Sequence, residues 1–222
     1  MKTGIVIVLV LAGGLAAVLL ADGSAARRPE PRSASIELST DPNDDVSRQS
    51  VATFAGGCFW CVEEAFDEVK GVVSTTSGYT GGHTKDPSYD EVTVGDTGHF
   101  EAVRVRYDPA VVSYRQLLDA FWRNIDPTDR GGQFCDRGDS YRSAIFYHDP
   151  DQKRLAEASR RAIEESRLFQ GPIVTEIVAA GEFYPAEEYH QNYYQKNPIR
   201  YKFYKWNCGR AARLEELWGE KS

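Results

Sequence analysis

Cys58 stands between two glycines and two aromatic residues, in the stretch Gly56-Gly57-Cys58-Phe59-Trp60-Cys61. The apolar run 51–55 before it reads as a buried strand that stops at the glycines. After it, Phe59, Val62, Phe66 and Val69 keep helical spacing over 58–69. The thiol is therefore expected at a helix N-terminus, where unpaired N–H groups and the helix dipole favour the thiolate and lower its pKa. The glycines would let the backbone approach closely and leave the sulfur uncovered. The chemistry such a group can do is nucleophilic attack; a buried structural cysteine in a tight turn is the competing reading. Phe59 and Trp60 can wall a small apolar pocket beside the thiol, or belong to plain core. Cys61 lies one helical turn on, and a Cys-x-x-Cys pair at a helix start can close a disulfide directly. A carboxyl joins this set from the alternating segment 100–107, where Glu101 shares a face with Val103, Val105 and Tyr107, opposite Arg104 and Arg106. On an apolar face a carboxyl keeps its proton near neutrality, as an acid catalyst must. At an exposed strand end it would instead pair with arginine or water.

These groups need a scaffold to hold them. Ser113 and Gln116 form a capping-box pattern ahead of a helix bearing Leu117, Leu118, Phe121, Trp122 and Ile125. Residues 143–147 read as a strand, Asp149-Pro150 opens a helix reaching about 169, and 173–179 is another strand. Strands mixed with helices predict a layered α/β or α+β domain. From Gly181 onward the chain is aromatic and reads as a long irregular tail packed over the domain, closed by a short helix near 211–218. No internal repeat is visible.

The chain has 222 residues, a size that suits one domain with a tail. Aromatic residues at 12% exclude a disordered protein, and a formal charge of −7 argues against a nucleic-acid binder. Four cysteines are too few for a disulfide-stapled miniprotein. The only methionine is Met1, and a methionine-free folded part suits an oxidising setting, where that side chain becomes a sulfoxide. At the N-terminus, Lys2 precedes an uncharged run over 4–21, followed by small residues and Arg27-Arg28. This reads as a secretory signal or an uncleaved anchor over 1–26, since a helix rising ~1.5 Å per residue over the run reaches roughly 27 Å, just enough to span a bilayer. No cysteine lies near the run, which argues against a lipoprotein anchor. Residues 27–49, rich in Pro, Ser, Arg and Asp, read as a linker to a folded domain over 50–222. The expected location is outside the cytoplasm, periplasmic or secreted, with a membrane tether if the segment is retained.

Gly56-Gly-Cys-Phe-Trp-Cys61 followed by Glu63 resembles the active-site motif of the A-type peptide methionine sulfoxide reductases. The resemblance continues through Ser77-Gly-Tyr-Thr-Gly-Gly82, Asp86-Pro-Ser-Tyr-Asp-Glu-Val92, Gly95-Asp-Thr-Gly-His-Phe-Glu-Ala-Val103, Gln133-Phe-Cys-Asp-Arg-Gly138 and Tyr141-Arg-Ser-Ala-Ile145. It runs on to Phe183-Tyr-Pro-Ala-Glu-Glu-Tyr-His-Gln191 and Lys196-Asn-Pro198, covering roughly 51–218 in family order. The resemblance implies an α+β two-layer sandwich with a central mixed sheet flanked by helices. It implies thiol-dependent reduction of methionine S-sulfoxide, free or in peptides, with no metal or organic cofactor. In that scheme Cys58 attacks the sulfoxide sulfur and becomes a sulfenic acid, Glu101 is the acid, and a second cysteine closes a disulfide that a thioredoxin-like dithiol reduces. By the same likeness Tyr89 and Tyr141 face the sulfoxide oxygen, Asp136 holds substrate through water, and Phe59 and Trp60 wall a pocket for the S-methyl group. Cys208, in the tail, is the first choice for the resolving cysteine; Cys61 and then Cys135 are the alternatives. A monomer is expected.

Other readings remain open at this level. A thioredoxin-fold oxidoreductase built on Cys58 and Cys61 would exchange disulfides without reducing sulfoxides. A zinc-stabilised module would use all four cysteines, although a second Cys-x-x-Cys pair is missing. A Cys–His hydrolase would need His99 or His190 beside Cys58. A non-catalytic aromatic binding protein would explain the tyrosine-rich tail but not the poised thiol.

Overall fold

The structure is a computed structural model that describes residues 49–219. The expected signal or anchor over 1–26, and all of the expected linker except Gln49, lie outside the described residues. Among the described residues no helix is long and apolar enough to cross a membrane.

Strand β1 (Ser50–Gly56) runs into the two glycines, and helix α1 (Phe59–Asp67) starts with Cys58 as its N-cap. Gly57 adopts φ +81°, and a Cβ there would sit 2.5 Å from the Gln133 Cβ, so the turn that delivers the thiol demands glycine. Next come β2 (Val72–Thr80), α2 (Tyr89–Val94) and β3 (Phe100–Tyr107), then α3 (Tyr114–Trp122), which Ser113 and Gln116 cap reciprocally as the sequence pattern predicts. A small hairpin, β4 (Gly132–Gln133) and β5 (Asp136–Arg137), leads through a short 3₁₀ turn at Asp139–Tyr141 to β6 (Ser143–Tyr147). Helix α4 (Pro150–Ser166), capped by Asp149, is followed by β7 (Glu176–Ala179) and β8 (Phe183–Pro185). The tail carries α5 (Tyr193–Lys196), α6 (Pro198–Asn207) and α7 (Arg210–Trp218).

The six main strands form one mixed sheet in the order β7-β6-β1-β3-β2-β8, with only the β6–β7 pair parallel. This is the α+β architecture expected from the sequence. One face is covered by helices: Phe54 of β1 stacks on Phe66 of α1 at 4.8 Å and on Phe121 of α3 at 5.1 Å, inside a cluster with Val103, Val105, Leu117 and Ile145. A buried aromatic side chain removes about 150–250 Å² from water at roughly 25 cal/mol per Å², which makes this layer the main source of cohesion. Ala55, Phe100, Ala102, Ala144 and Phe146 form a second cluster.

Among the differences from the sequence reading are two boundaries and the tail. Helix α4 ends at Ser166 because Arg167 turns left-handed, with φ 54°. Strand β7 starts at Glu176, since the Val174 N–H donates to the Pro127 carbonyl at 2.8 Å and Arg160 takes the Ile173 carbonyl, drawing 173–174 off the ladder. The tail is more helical than its composition suggests, because Pro198 fits the first helical position of α6. Apolar and aromatic side chains occupy both sides of that helix: Tyr201 is buried while Ile199, Phe203 and Trp206 are exposed. No two-sided pattern could therefore announce it.

Candidate active site

The β1–α1 turn puts Cys58 and Cys61 on one helical turn, both buried and both free thiols. The two thiols shift one another's titration. Burial pushes the Cys58 thiol up, helped by the Cys61 sulfur and the nearby carboxyls of Glu101 and Asp136. This corrects the expectation of a thiol activated by the helix end. The Phe59 N–H, first of the free donors of α1, is accepted at 3.0 Å by Glu101 Oε2, and the Cys58 side chain makes no capping bond. A helix terminus is worth about 0.3–1 kcal/mol to a charge. Full burial can move a pKa by up to ~3–5 units at about 1.4 kcal/mol each, so burial wins. Cys61 moves the other way, down to about 6, through the neighbouring Cys58 thiol, with burial opposing and Arg210, the Tyr201 hydroxyl and Lys205 assisting. Within the pair, Cys58 holds its proton more tightly than Cys61 does.

Glu101 enters from the buried face of β3 and is 2% exposed. Burial pushes its carboxyl up to about 8, partly offset by the Phe59 N–H, so it is neutral at pH 7. One oxygen serves Phe59, and the other is left to donate a proton.

Around these groups lies an aromatic enclosure. Phe59 packs against Tyr79 at 6.0 Å and His190 at 5.0 Å, and Trp60 donates its indole N–H to His190 Nδ1 at 3.1 Å. One face of Trp60 is covered by Tyr193 of α5, stacked at 3.7 Å and 8°. Tyr89 is held by its backbone N–H on Glu187 Oε1 at 2.9 Å, and its ring lies 4.4 Å from His190. The Tyr89 and Tyr141 hydroxyls lie together near Glu101, and both are pushed upward by burial, Tyr89 to about 12. Of the sequence-derived set, Cys58, Cys61, Glu101, Phe59, Tyr89 and Tyr141 therefore gather in one place, with Trp60 at its edge. Asp136, on β5, accepts a 2.6 Å bond from the Tyr204 hydroxyl, and that hydroxyl also reaches Cys58.

The tail supplies what the sequence reading missed. Tyr204 closes over Cys58, and Tyr201, bonded to Glu64 Oε2 at 2.6 Å, closes over Cys61. Their i, i+3 spacing just after Asn197-Pro198 was the available signal, hidden by the aromatics on the opposite side of α6. His190 is buried with Nε2 unpartnered among the described residues. It braces Trp60 and makes no pair with Cys58, contrary to the hydrolase reading.

Cys208, the first choice to resolve a sulfenic acid, is joined to Cys135 in a disulfide across 73 residues, at the C-terminal end of α6. Both sulfurs lie within 4.8 Å of an Asp136 oxygen, but each is already bonded to the other, and Cys58 and Cys61 form a separate pair; this does not resemble a four-cysteine zinc cluster. Closing a loop of that length is worth about 4 kcal/mol in the chain-entropy picture, with measured values typically ~2–4 kcal/mol. We expect Cys135→Ser with Cys208→Ser to lower the melting temperature by about 5–15 °C, read by thermal denaturation of the oxidised wild type and the double variant. A shift under 2 °C would show that the bond contributes little.

The family model described as peptide methionine sulfoxide reductase matches residues 50–222. The chain is 55% identical over 175 residues to the peptide methionine sulfoxide reductase MsrA of Bacillus pumilus, covering 79% of this chain and 98% of that protein. It is also 55% identical over 174 residues to the Bacillus subtilis protein of the same name, covering 78% and 98%. Among solved structures, reduced Mxr1 of Saccharomyces cerevisiae matches with TM-score 0.63 at 35% identity, covering 71% of this chain and 88% of that one. Methionine sulfoxide reductase A of Corynebacterium diphtheriae matches with TM-score 0.62 at 36% identity, covering 68% and 76%.

Proposed function

Since the chain belongs to the peptide methionine sulfoxide reductase family and reduces methionine sulfoxide by thiol chemistry, we propose that Cys58 is its nucleophile, Glu101 its acid and Cys61 its resolving cysteine. The single observation carrying this assignment is the placement of two buried free thiols, Cys58 and Cys61, one helical turn apart beside the buried Glu101 carboxyl that accepts the Phe59 N–H.

As the sulfoxide enters, Cys61 accepts the Cys58 proton, and the Cys58 sulfur attacks the electrophilic sulfur. Glu101 protonates the oxygen. The sulfoxide gains two electrons and leaves as the thioether, while Cys58 carries the oxygen as a sulfenic acid. Tyr89 and Tyr141, kept as neutral hydroxyls, donate to the sulfoxide oxygen; Phe59 and Trp60 enclose the methyl group, with sulfur–aromatic contact adding a little; Asp136 orders water at the site. Cys61 then attacks the Cys58 sulfur, a Cys58–Cys61 disulfide forms, and the oxygen departs as water. A thioredoxin-like dithiol restores the pair. The preferred epimer is the S-sulfoxide, and the enzyme acts as a monomer.

Cys61 is favoured over Cys208 because it is a free thiol one helical turn from Cys58, whereas Cys208 is held by Cys135. The test is a single turnover with no added reductant, followed by disulfide mapping. Pre-reduced wild type and Cys208→Ser are expected to end as the Cys58–Cys61 disulfide, whereas Cys61→Ser releases one methionine per chain and stops at the Cys58 sulfenic acid. The reverse outcome, with a mapped Cys58–Cys208 disulfide, would reassign the resolving role.

The apolar run over 4–21 and the Cys135–Cys208 disulfide both support work outside the cytoplasm, periplasmic or secreted, where such bonds persist. Fractionation of cells expressing the full chain tests this, and recovery in the cytosol would contradict it.

A further inference from the structure

Glu63 takes no part in the chemistry of the sulfoxide, yet its side chain is fully buried. Both of its oxygens lie within reach of one donor, the Asn192 backbone N–H, at 3.1 Å and 3.0 Å. Asn192 caps α5 in the left-handed region, with φ 53° and ψ 36°. Next to it, Tyr193 lays its ring on Trp60 at 3.7 Å. We propose that Glu63 is a positioning residue for sulfoxide recognition: by holding Asn192 it presses Tyr193 onto Trp60 and fixes the wall that selects an S-methyl group. The inference rests on Trp60 walling the methyl pocket, as proposed above.

The match between helix and tail is one of spacing. Trp60, Glu63 and Asp67 stand at i, i+3 and i+7 on α1, so they share one face of the helix. The tail meets them with three consecutive residues: the Asn192 N–H on Glu63, the Tyr193 ring on Trp60, and the Tyr194 hydroxyl on Asp67 Oδ2 at 2.9 Å. Asp67 grips a side chain at the end of the helix. Glu63, between the other two, grips the backbone, and the backbone is what aims the Tyr193 ring. Left-handed backbone is uncommon for a residue other than glycine and persists where its surroundings hold it. Without the Glu63 carboxyl, Asn192 loses the partner of its N–H, and the ring beside it lifts from the indole.

Trp60 needs that support because its other restraints act in different directions. Its indole N–H donates to His190 Nδ1 at 3.1 Å, which stops the ring from turning in its own plane but lets it tip about that bond. Tyr204 meets it edge-on, with centroids 5.8 Å apart. The Tyr193 stack, 8° from parallel, is the contact that sets the tilt. A pocket for one methyl group discriminates by the fit of its walls, and one extra methylene in such a site costs about 10–200-fold. A wall that tips gives up part of that discrimination. The thiols and the Glu101 carboxyl, which is held by the Phe59 N–H, keep their places. Affinity and selectivity should therefore suffer while the chemical step does not.

The test compares methionine S-sulfoxide with its S-ethyl homologue as substrates of the full chain. In Glu63→Ala the ratio of the two kcat/KM values is expected to fall about fivefold or more, through a higher KM for the methyl substrate, with the saturating single-turnover rate within about twofold of wild type. Glu63→Gln keeps an oxygen for the Asn192 N–H and should restore the ratio. Tyr193→Leu leaves α1 untouched, removes the stack from the tail side and should lower the ratio as Glu63→Ala does. The two substitutions together should cost no more than either alone, because they act through one contact. An unchanged ratio in Tyr193→Leu, or a loss of kcat with an unchanged ratio in Glu63→Ala, overturns the positioning role. Trp60→Leu is the control: a wild-type ratio there overturns the Trp60 wall itself, whereas a lowered ratio there with an unchanged one in Tyr193→Leu overturns the positioning role alone.

Discussion

Cys58→Ser is expected to form no methionine above the uncatalysed level, in single or multiple turnover and with any reductant. The reaction needs an atom that can attack a sulfoxide sulfur, keep the oxygen and pass it on as water, and sulfur does this through the sulfenic acid. A serine hydroxyl has no such oxidation state available. Its replacement is also close in size, so α1 and the β1–α1 turn should persist, with Gly57 at φ +81° still setting the turn. Retained sulfoxide affinity with no turnover is therefore the expected signature, read by calorimetric binding alongside methionine release. Wild-type turnover in Cys58→Ser would remove the nucleophile from the account.

The second large effect is at Glu101. Positioned general acids typically contribute ~10²–10⁴-fold, and Glu101→Gln should lose that much in the single-turnover rate while still accepting the Phe59 N–H through its amide oxygen. Retained binding with a slow chemical step would mark the loss of a proton rather than of a contact. The pH profile gives the sign independently. Burial raises this carboxyl to about 8, so the catalytic proton is present below that pH and is lost above it. The wild-type single-turnover rate should fall as pH rises through 8. Deprotonation of the thiol pair contributes the opposite, rising limb. Glu101→Gln should abolish the falling limb and keep the rising one, and an unchanged profile would reject the acid assignment.

How much of this the sequence disclosed depends on the physics involved. The alternation of 100–107 placed Glu101 inward, because a two-residue period leaves a strand no other choice once Val103 and Val105 are buried. The Ser113–Gln116 capping box was legible for the same reason: the signal is local and its partners are three residues apart. The state of the Cys58 thiol was not legible. A helix N-terminus is a local feature, but desolvation by Tyr204 and the arrival of the Glu101 carboxyl depend on strands and a tail far away in sequence. The disulfide between Cys135 and Cys208 was beyond reach too, since spacing across 73 residues says nothing of proximity. Tyr201 and Tyr204 were hidden in plain composition, on a helix with aromatic side chains on both its buried and its exposed side.

The central claim is that the oxygen of the sulfoxide passes to Cys58. It is tested most directly by mixing pre-reduced Cys61→Ser with one equivalent of methionine S-sulfoxide, trapping with dimedone and locating the adduct by peptide mass spectrometry. The account expects one methionine released per chain and one dimedone adduct, on Cys58. Methionine released in that amount with Cys58 left as an unmodified thiol would contradict it.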